Sequence, residues 1–139
     1  MSFLLDTCYL SEFVKEQPGQ KVVEWSEKQQ ENDLYISVLT PGELQQGITQ
    51  MVRSRKKTAL ERWFDEALMP RFAGRILDIT GNVAITWGKI QGEARRRGKP
   101  LPVIDSLIAA TAMAHNLAVV TRNVADMQAG GARVVNPWE

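Results

Sequence analysis

The sequence holds one cysteine and one histidine among 139 residues, and both scarcities narrow the chemistry. A lone Cys8 can form neither an internal disulfide nor a multi-cysteine zinc site. The single His115 excludes a histidine-rich metal centre. A metal held by this chain is therefore held by oxygen ligands. An excess of either charge is also missing, since 17 Lys and Arg stand against 16 Asp and Glu, a formal net charge of +1. Attraction of nucleic acid by bulk charge is excluded, and any such binding must come from local patches. No run approaches the ~20 apolar residues of a membrane span. The opening Met1-Ser-Phe-Leu-Leu-Asp6 puts an acid where a signal peptide is apolar, with no Lys or Arg before it, so the expectation is a cytoplasmic protein. Neither a Walker loop nor a Gly-x-Gly-x-x-Gly fingerprint is present. With no repeat, low-complexity tract or Pro/Gly/Ser-rich linker, residues 1–139 read as one domain.

What is there alternates between short strands and helices. Phe3-Leu4-Leu5 is an apolar run ending at Asp6, and Leu10, Phe13 and Val14 then fall at helical spacing. A turn at Gln17–Gln20 precedes a short helix around Val22, Val23 and Trp25. Leu34-Tyr-Ile-Ser-Val38 reads as a second strand, followed by a helix carrying Leu44, Ile48 and Met51. Leu60, Phe64 and Ala67 repeat that spacing, and Val83, Trp87, Ile90 and Ala94 form a third stripe. Arg75–Ile79 reads as another strand or an extended segment, and Pro102 opens an alanine-rich helix running to about His115. Ala118–Thr121 and Arg133–Val135 complete the strands. The pattern predicts an α/β fold, helices sandwiching a short parallel sheet.

In such sheets function gathers beyond the carboxyl ends of the strands. Four acids hold positions of that kind: Asp6, Glu43, Asp105 and Asp126. Each also has a plain structural explanation. Thr40-Pro-Gly-Glu43 reads as a capping box, with Thr40 as N-cap, Pro41 at N1 and Glu43 at N3. Asp105 suits the positive end of a helix dipole, Asp6 could cap the helix after it, and Asp126 could be a loop acid. As a group they read differently. Carboxylates brought to one sheet edge repel, and a hard divalent cation offsets that repulsion far better than helix termini do. Such a site can polarise water and stabilise charge on a phosphate under attack, with no help from His or Cys.

The remaining candidates are weaker. Arg53-Ser-Arg-Lys-Lys57 and Arg95-Arg-Arg-Gly-Lys99 suit helix ends and solvated faces, or phosphate contact. Arg122 is better placed, directly after a strand at the expected functional edge. Cys8 lacks the Arg six residues on that a phosphatase loop requires, since Val14 stands there. His115 reads as a packing or capping residue, and the tryptophans on helical stripes read as core.

Leu5-Asp6-Thr7, Ser37-Val-Leu-Thr40-Pro-Gly-Glu43-Leu44, Pro102-Val-Ile-Asp105-Ser-Leu-Ile-Ala-Ala-Thr111 and Val120-Thr121-Arg122-Asn123-Val-Ala-Asp126-Met127 occur in this order. Together they resemble a PIN-domain ribonuclease of the virulence-associated protein C (VapC) type, the toxin of a bacterial toxin–antitoxin pair, and the likeness runs the whole chain. The resemblance implies a three-layer α/β/α sandwich, a homodimer, and cleavage of RNA phosphodiesters with Mg²⁺ or Mn²⁺. It also implies a small cognate antitoxin that inhibits by inserting near the acidic pocket. On the matching positions, Asp6, Glu43, Asp105 and Asp126 would form that pocket, with Asp6, Asp105 and Asp126 on the metal. Thr7 and Thr121 would steady a carboxylate or water, and Arg122 would meet an RNA phosphate. Two departures stand out: Cys8 where many members carry Asn, and Met127 where an Asp-Phe pair is usual.

The leading reading is thus a metal-dependent endoribonuclease toxin leaving 5′-phosphate and 3′-hydroxyl ends. The alternative is a catalytically inactive PIN fold serving as an RNA-binding or scaffold protein, which the thiol at Cys8, a weak donor, keeps open. A small-molecule phosphohydrolase would need a compact phosphate loop, and none is visible.

Overall fold

The computed structural model describes all 139 residues. Five strands form one parallel sheet: β1 (Phe3–Leu5), β2 (Leu34–Ser37), β3 (Ile76–Leu77), β4 (Ala118–Val120) and β5 (Arg133–Val135), in the order β3-β2-β1-β4-β5. Parallel strands need crossovers, and helices supply them. Between β1 and β2 run α1 (Thr7–Glu12) and α2 (Gln20–Glu27). Between β2 and β3 run α3 (Leu39–Gln50), α4 (Arg55–Trp63), a π-helical turn (Phe64–Leu68) and α5 (Met69–Arg71). α6 (Gly81–Arg96) and α7 (Val103–Ala114) lead to β4, and α8 (Val124–Ala129) leads to β5. No helix is long and apolar enough to cross a membrane.

The sheet is buried on both sides, which is why its strands read as unbroken apolar runs. Register aligns Phe3 with Leu34 and Ala118, and Leu4 with Tyr35 and Val119. Successive side chains face opposite ways. Phe3, Leu5, Leu34, Ile36, Ala118 and Val120 therefore share one core with Tyr9, Leu10, Val22, Leu44, Leu68 and Phe72 from α1 to α5. Leu4, Val119, Tyr35 and Val134 share the other with Ile108, Ala109, Ala112 and Met127 from α7 and α8. α6 packs along α7, completing the second helical layer. The three-layer α/β/α sandwich is present as expected.

Three local readings are corrected. Helix α3 does not begin at a Thr40 cap. Val38 already has helical dihedrals (φ −57°, ψ −22°), and Ser37 Oγ accepts from the Leu39 N–H at 3.1 Å. Thr40 is thereby drawn into the first turn and fully buried, and its hydroxyl has no partner. Pro41 is tolerated because first-turn N–H groups are unbonded in any helix. The stripe Leu60–Phe64–Ala67 breaks at its last member. The wider π turn delays the helical phase by about one residue, so Leu68 is buried and Ala67 is exposed. Finally, α1 ends at Glu12, leaving Phe13 and Val14 beyond it, each 36% exposed. Two other expectations hold: within Arg75–Ile79 the residues Ile76–Leu77 pair as a strand, and α7 runs to Ala114 with His115 as its exposed C-cap.

Candidate active site

After β1 the chain moves outward through β2 and β3, then returns to place β4 on the other side of β1. The crevice beyond the carboxyl ends of β1 and β4 is the sheet's topological switch point, where ligands of such sheets bind. Asp6 follows β1 there and Thr121 follows β4. Two backbone bonds carry the pairing past the strand ends, from Asp6 N–H to Val120 O and from Thr121 N–H to Val135 O, both 3.0 Å. They set the side chains of Asp6 and Thr121 side by side.

Asp6 is 6% exposed, and its carboxylate is heavily used. Oδ1 accepts from the Thr7 N–H at 2.8 Å, so Asp6 does cap α1. Oδ2 accepts from the Thr121 hydroxyl at 2.7 Å and lies 3.7 Å from Cys8 Sγ. Structural and chemical explanations of this acid are therefore compatible. Glu43, by contrast, is not a cap. Its Oε1 accepts from the Thr7 hydroxyl at 2.6 Å, tying α3 to α1 beside the crevice.

Asp105 and Asp126 occupy first turns of α7 and α8, and Asn123 joins them. Its amide nitrogen donates to Asp105 Oδ2 at 2.9 Å and to Asp126 Oδ2 at 3.2 Å. Asn123 stands at the N-cap position of α8, where Asn ordinarily bonds a backbone N–H, yet its side chain makes no such bond. It is committed to the two acids instead.

A cavity of about 470 Å³ results, walled by Asp6, Thr7, Cys8, Glu43, Asp105, Arg122 and Asn123. Asp126 reaches it only through Asn123. The carboxyl of Asp105 is raised above the usual carboxylate range, first by burial and then by the charges of Asp6, Asp126 and Glu43. Negative charge is thus concentrated beyond what the Asn123 hydrogen bond compensates. Burial likewise pushes the Cys8 thiol up, so it adds no charge. Its sulfur lies 3.5 Å from Thr121 Oγ1 and accepts from the Arg122 N–H at 3.5 Å. No three acid, thiol or imidazole groups surround one point closely enough to bind a metal together.

Of the site residues expected from the sequence, Asp6, Thr7, Glu43, Asp105 and Arg122 line the cavity, Thr121 is buried behind Asp6, and Asp126 lies behind Asn123. Asn123, inside the recognised run and three residues before Asp126, joins the acids through bonds that its position in the sequence does not announce. Glu12 also lies beside the cavity without belonging to any of the four motifs. It sits three residues beyond the buried Tyr9, and an acid on an apolar helical stripe is a signal in itself. Neither basic run lines the cavity. Arg53 pairs with Glu61, Arg96 and Arg97 pair with Glu93, and Lys57 donates to the Met51 carbonyl at the end of α3. A second cavity of equal volume opens at the amino-terminal edge, between Tyr35, Leu77, His115 and Arg133, and contains no acid.

Residues 3–125 match the PIN domain family. The Neisseria gonorrhoeae protein described as toxin FitB is 37% identical over 135 residues, covering 97% of both chains. VapC ribonuclease Y4jK of Sinorhizobium fredii is 32% identical over 136 residues, 98% of this chain and 97% of that one. The solved structure of FitAB bound to a DNA fragment superposes with a TM-score of 0.92 at 35% identity, covering 99% of this chain and 96% of that chain. With the sheet order, the acid-lined switch point and these relatives in agreement, the chain belongs to the PIN-domain family of VapC- and FitB-type toxins.

Proposed function

We propose that this chain is a toxin endoribonuclease that hydrolyses RNA phosphodiesters with a divalent cation, Mg²⁺ or Mn²⁺, held at the acid cavity. The observation that carries the reading is the convergence of Asp6, Glu43 and Asp105 on one cavity with Arg122 at its rim. The donor set fits a hard cation. All the charged donors are carboxylate oxygens, the ligands Mg²⁺ takes, and since no three of them surround one point, an ion held there would keep several of its waters. The raised Asp105 carboxyl speaks for a site whose repulsion a cation relieves.

Asp6 and Asp105 would hold the ion directly or through water, with Asp126 contributing from behind Asn123. When bound, the cation supplies Lewis-acid polarisation of the phosphate and of an attacking water. Thr121 and Thr7 fix the lone pairs of Asp6 and Glu43, so those carboxylates need not reorganise when charge develops. Glu43 shapes the pocket or meets a second ion. Arg122 offers a guanidinium to a non-bridging phosphate oxygen. The products are 5′-phosphate and 3′-hydroxyl ends. The FitAB structure and the toxin–antitoxin complex from Klebsiella pneumoniae, both similar in fold, support a cognate antitoxin as partner; in this reading it inserts near the cavity of a homodimeric, cytoplasmic toxin.

Asp6→Asn and Asp105→Asn should each abolish RNA cleavage by the purified protein, as should EDTA. Asn still caps a helix, so Asp6→Asn should remain folded. Full activity in either variant, or in EDTA, would sink the mechanism. A second reading, an inactive PIN fold that only binds RNA or a protein, is favoured by Cys8, whose neutral thiol touches Asp6 and Thr121. Mn²⁺ separates the two. A cation bound only by the folded state raises the melting temperature by mass action, and an inactive pocket gives no rise.

A further inference from the structure

Next to the acid cavity lies a cluster that the nuclease reading leaves unused. Glu12, the last residue of α1, is buried at 4% exposure. Its Oε2 accepts from the Gly19 N–H at 2.8 Å, and its Oε1 accepts from Lys15 Nζ at 2.9 Å and from Trp138 Nε1 at 3.2 Å. Trp138 follows β5 and is further fixed by its backbone N–H, which donates to Asn136 Oδ1 at 3.0 Å. The guanidinium of Arg122 lies over the Trp138 ring, 4.5 Å from its centroid, with Nη2 at 3.5 Å from Glu12 Oε1.

This arrangement orients Arg122 without using it up. Lys15 already balances the charge of Glu12, so the Arg122 charge is left over. The contact at 3.5 Å is long and shared with two other donors. Elsewhere in the molecule the opposite occurs: Arg71 grips Glu31 through two bonds of 2.8 and 3.0 Å and has that edge occupied. Stacking on an aromatic face leaves a guanidinium's N–H edges free, and those edges make bidentate bonds to phosphate. A pre-oriented arginine also loses less rotamer freedom when it binds.

We infer that Trp138, anchored on Glu12, is a positioning residue that holds the Arg122 guanidinium at the rim of the acid cavity, its N–H edge open to a phosphate of bound RNA. The inference rests on the nuclease reading above and adds a specific route by which the segment after β5 shapes substrate binding.

The test compares Trp138→Leu, which fills space without a π face, with Trp138→Phe, which keeps one. Both lose the indole N–H, so their difference isolates the ring. Binding of a fluorescein-labelled, mixed-sequence single-stranded RNA is followed by anisotropy in EDTA, and KM and kcat are measured on the same RNA with Mn²⁺. Trp138→Leu should weaken binding and raise KM about three- to fivefold with kcat within about twofold, and Trp138→Phe should restore most of the loss. Arg122→Ala should weaken binding about tenfold and reduce the salt slope of log Kd by about 0.7, one single-strand phosphate. Adding Trp138→Leu to Arg122→Ala should cost nothing more. Wild-type affinity in Trp138→Leu, or losses that multiply in the double variant, would overturn the inference and leave the nuclease reading standing. If Trp138→Leu does not fold, Arg122→Lys decides: it keeps the charge but not the stacked plane, and wild-type binding by it would overturn the inference. Wild-type protein that neither binds nor cuts RNA would overturn both.

Discussion

Thr121 donates its hydroxyl hydrogen to Asp6 across 2.7 Å while accepting the Asn123 N–H at 2.9 Å, joining residues 115 apart at the sheet's switch point. Thr121 is fully buried, so water cannot replace it. Thr121→Val keeps the shape and leaves Asp6 Oδ2 with only the weak thiol donor of Cys8. Hydrogen bonds to charged groups contribute about 1.5–3 kcal/mol, and the variant should lose stability in that range. Cleavage should fall roughly tenfold as Asp6 loosens. Urea melts and single-turnover rates check both, and a Val variant equal to wild type in both would remove the hydroxyl from the mechanism.

Glu43 tests whether a helix-capping explanation suffices. The structure gives its carboxylate to Thr7 rather than to the start of α3. Glu43→Ala leaves the start of α3 untouched and gives up only the part-buried bond from Thr7, so stability should fall by no more than about 1–2 kcal/mol. RNA cleavage should nevertheless drop at least about tenfold, because a charge at the cavity is gone. A large stability loss with retained activity would reverse this assignment.

The sheet was legible because strands buried on both faces leave continuous apolar runs, and Phe3-Leu4-Leu5 followed at once by Asp6 marks both a strand and its functional end. Asp105 was legible in place because a first-turn acid follows Pro102. The start of α3 was not, since the Thr40 pattern is a local signal and burial of Thr40 beside the core overrode it. Partners far apart in sequence leave no pattern at all. Glu12 meets Arg122 and Trp138 at separations of 110 and 126 residues, and only the fold brings them together. Asn123 was concealed differently, as a residue in a capping position whose side chain is spent elsewhere.

Thr40 yields a prediction in the opposite direction. Its hydroxyl is buried without a hydrogen-bond partner, which costs about 1–3 kcal/mol of desolvation. Thr40→Val removes the polar atom at nearly constant shape. Stability should rise by about 1 kcal/mol, or roughly 3 °C in melting temperature for a chain of this size. A calorimetric scan showing destabilisation would mean that the hydroxyl has a partner, such as an ordered water.

Glu12 predicts how stability responds to acid. Its pKa falls from 4.5 to about 2, chiefly through the Lys15 hydrogen bond, then the Gly19 N–H, with Trp138 adding to both and burial opposing them. In the unfolded chain none of these partners is in place, so the group takes up its proton near the ordinary value. A depressed carboxylate contributes stability in full above the unfolded pKa and loses it as pH falls through the folded one. The contribution of Glu12 should therefore be constant from about pH 7 down to about pH 5 and vanish progressively between about 4.5 and about 2. Glu12→Gln cannot titrate, and it presents an amide to the Lys15 and Trp138 donors. It should be less stable than wild type at neutral pH, and the gap should close across that acid window. Urea midpoints at a series of pH values, taken as wild type minus variant, cancel the other carboxylates. A difference that stays constant down to about pH 2 would show that Glu12 stabilises the fold through packing rather than through its charge.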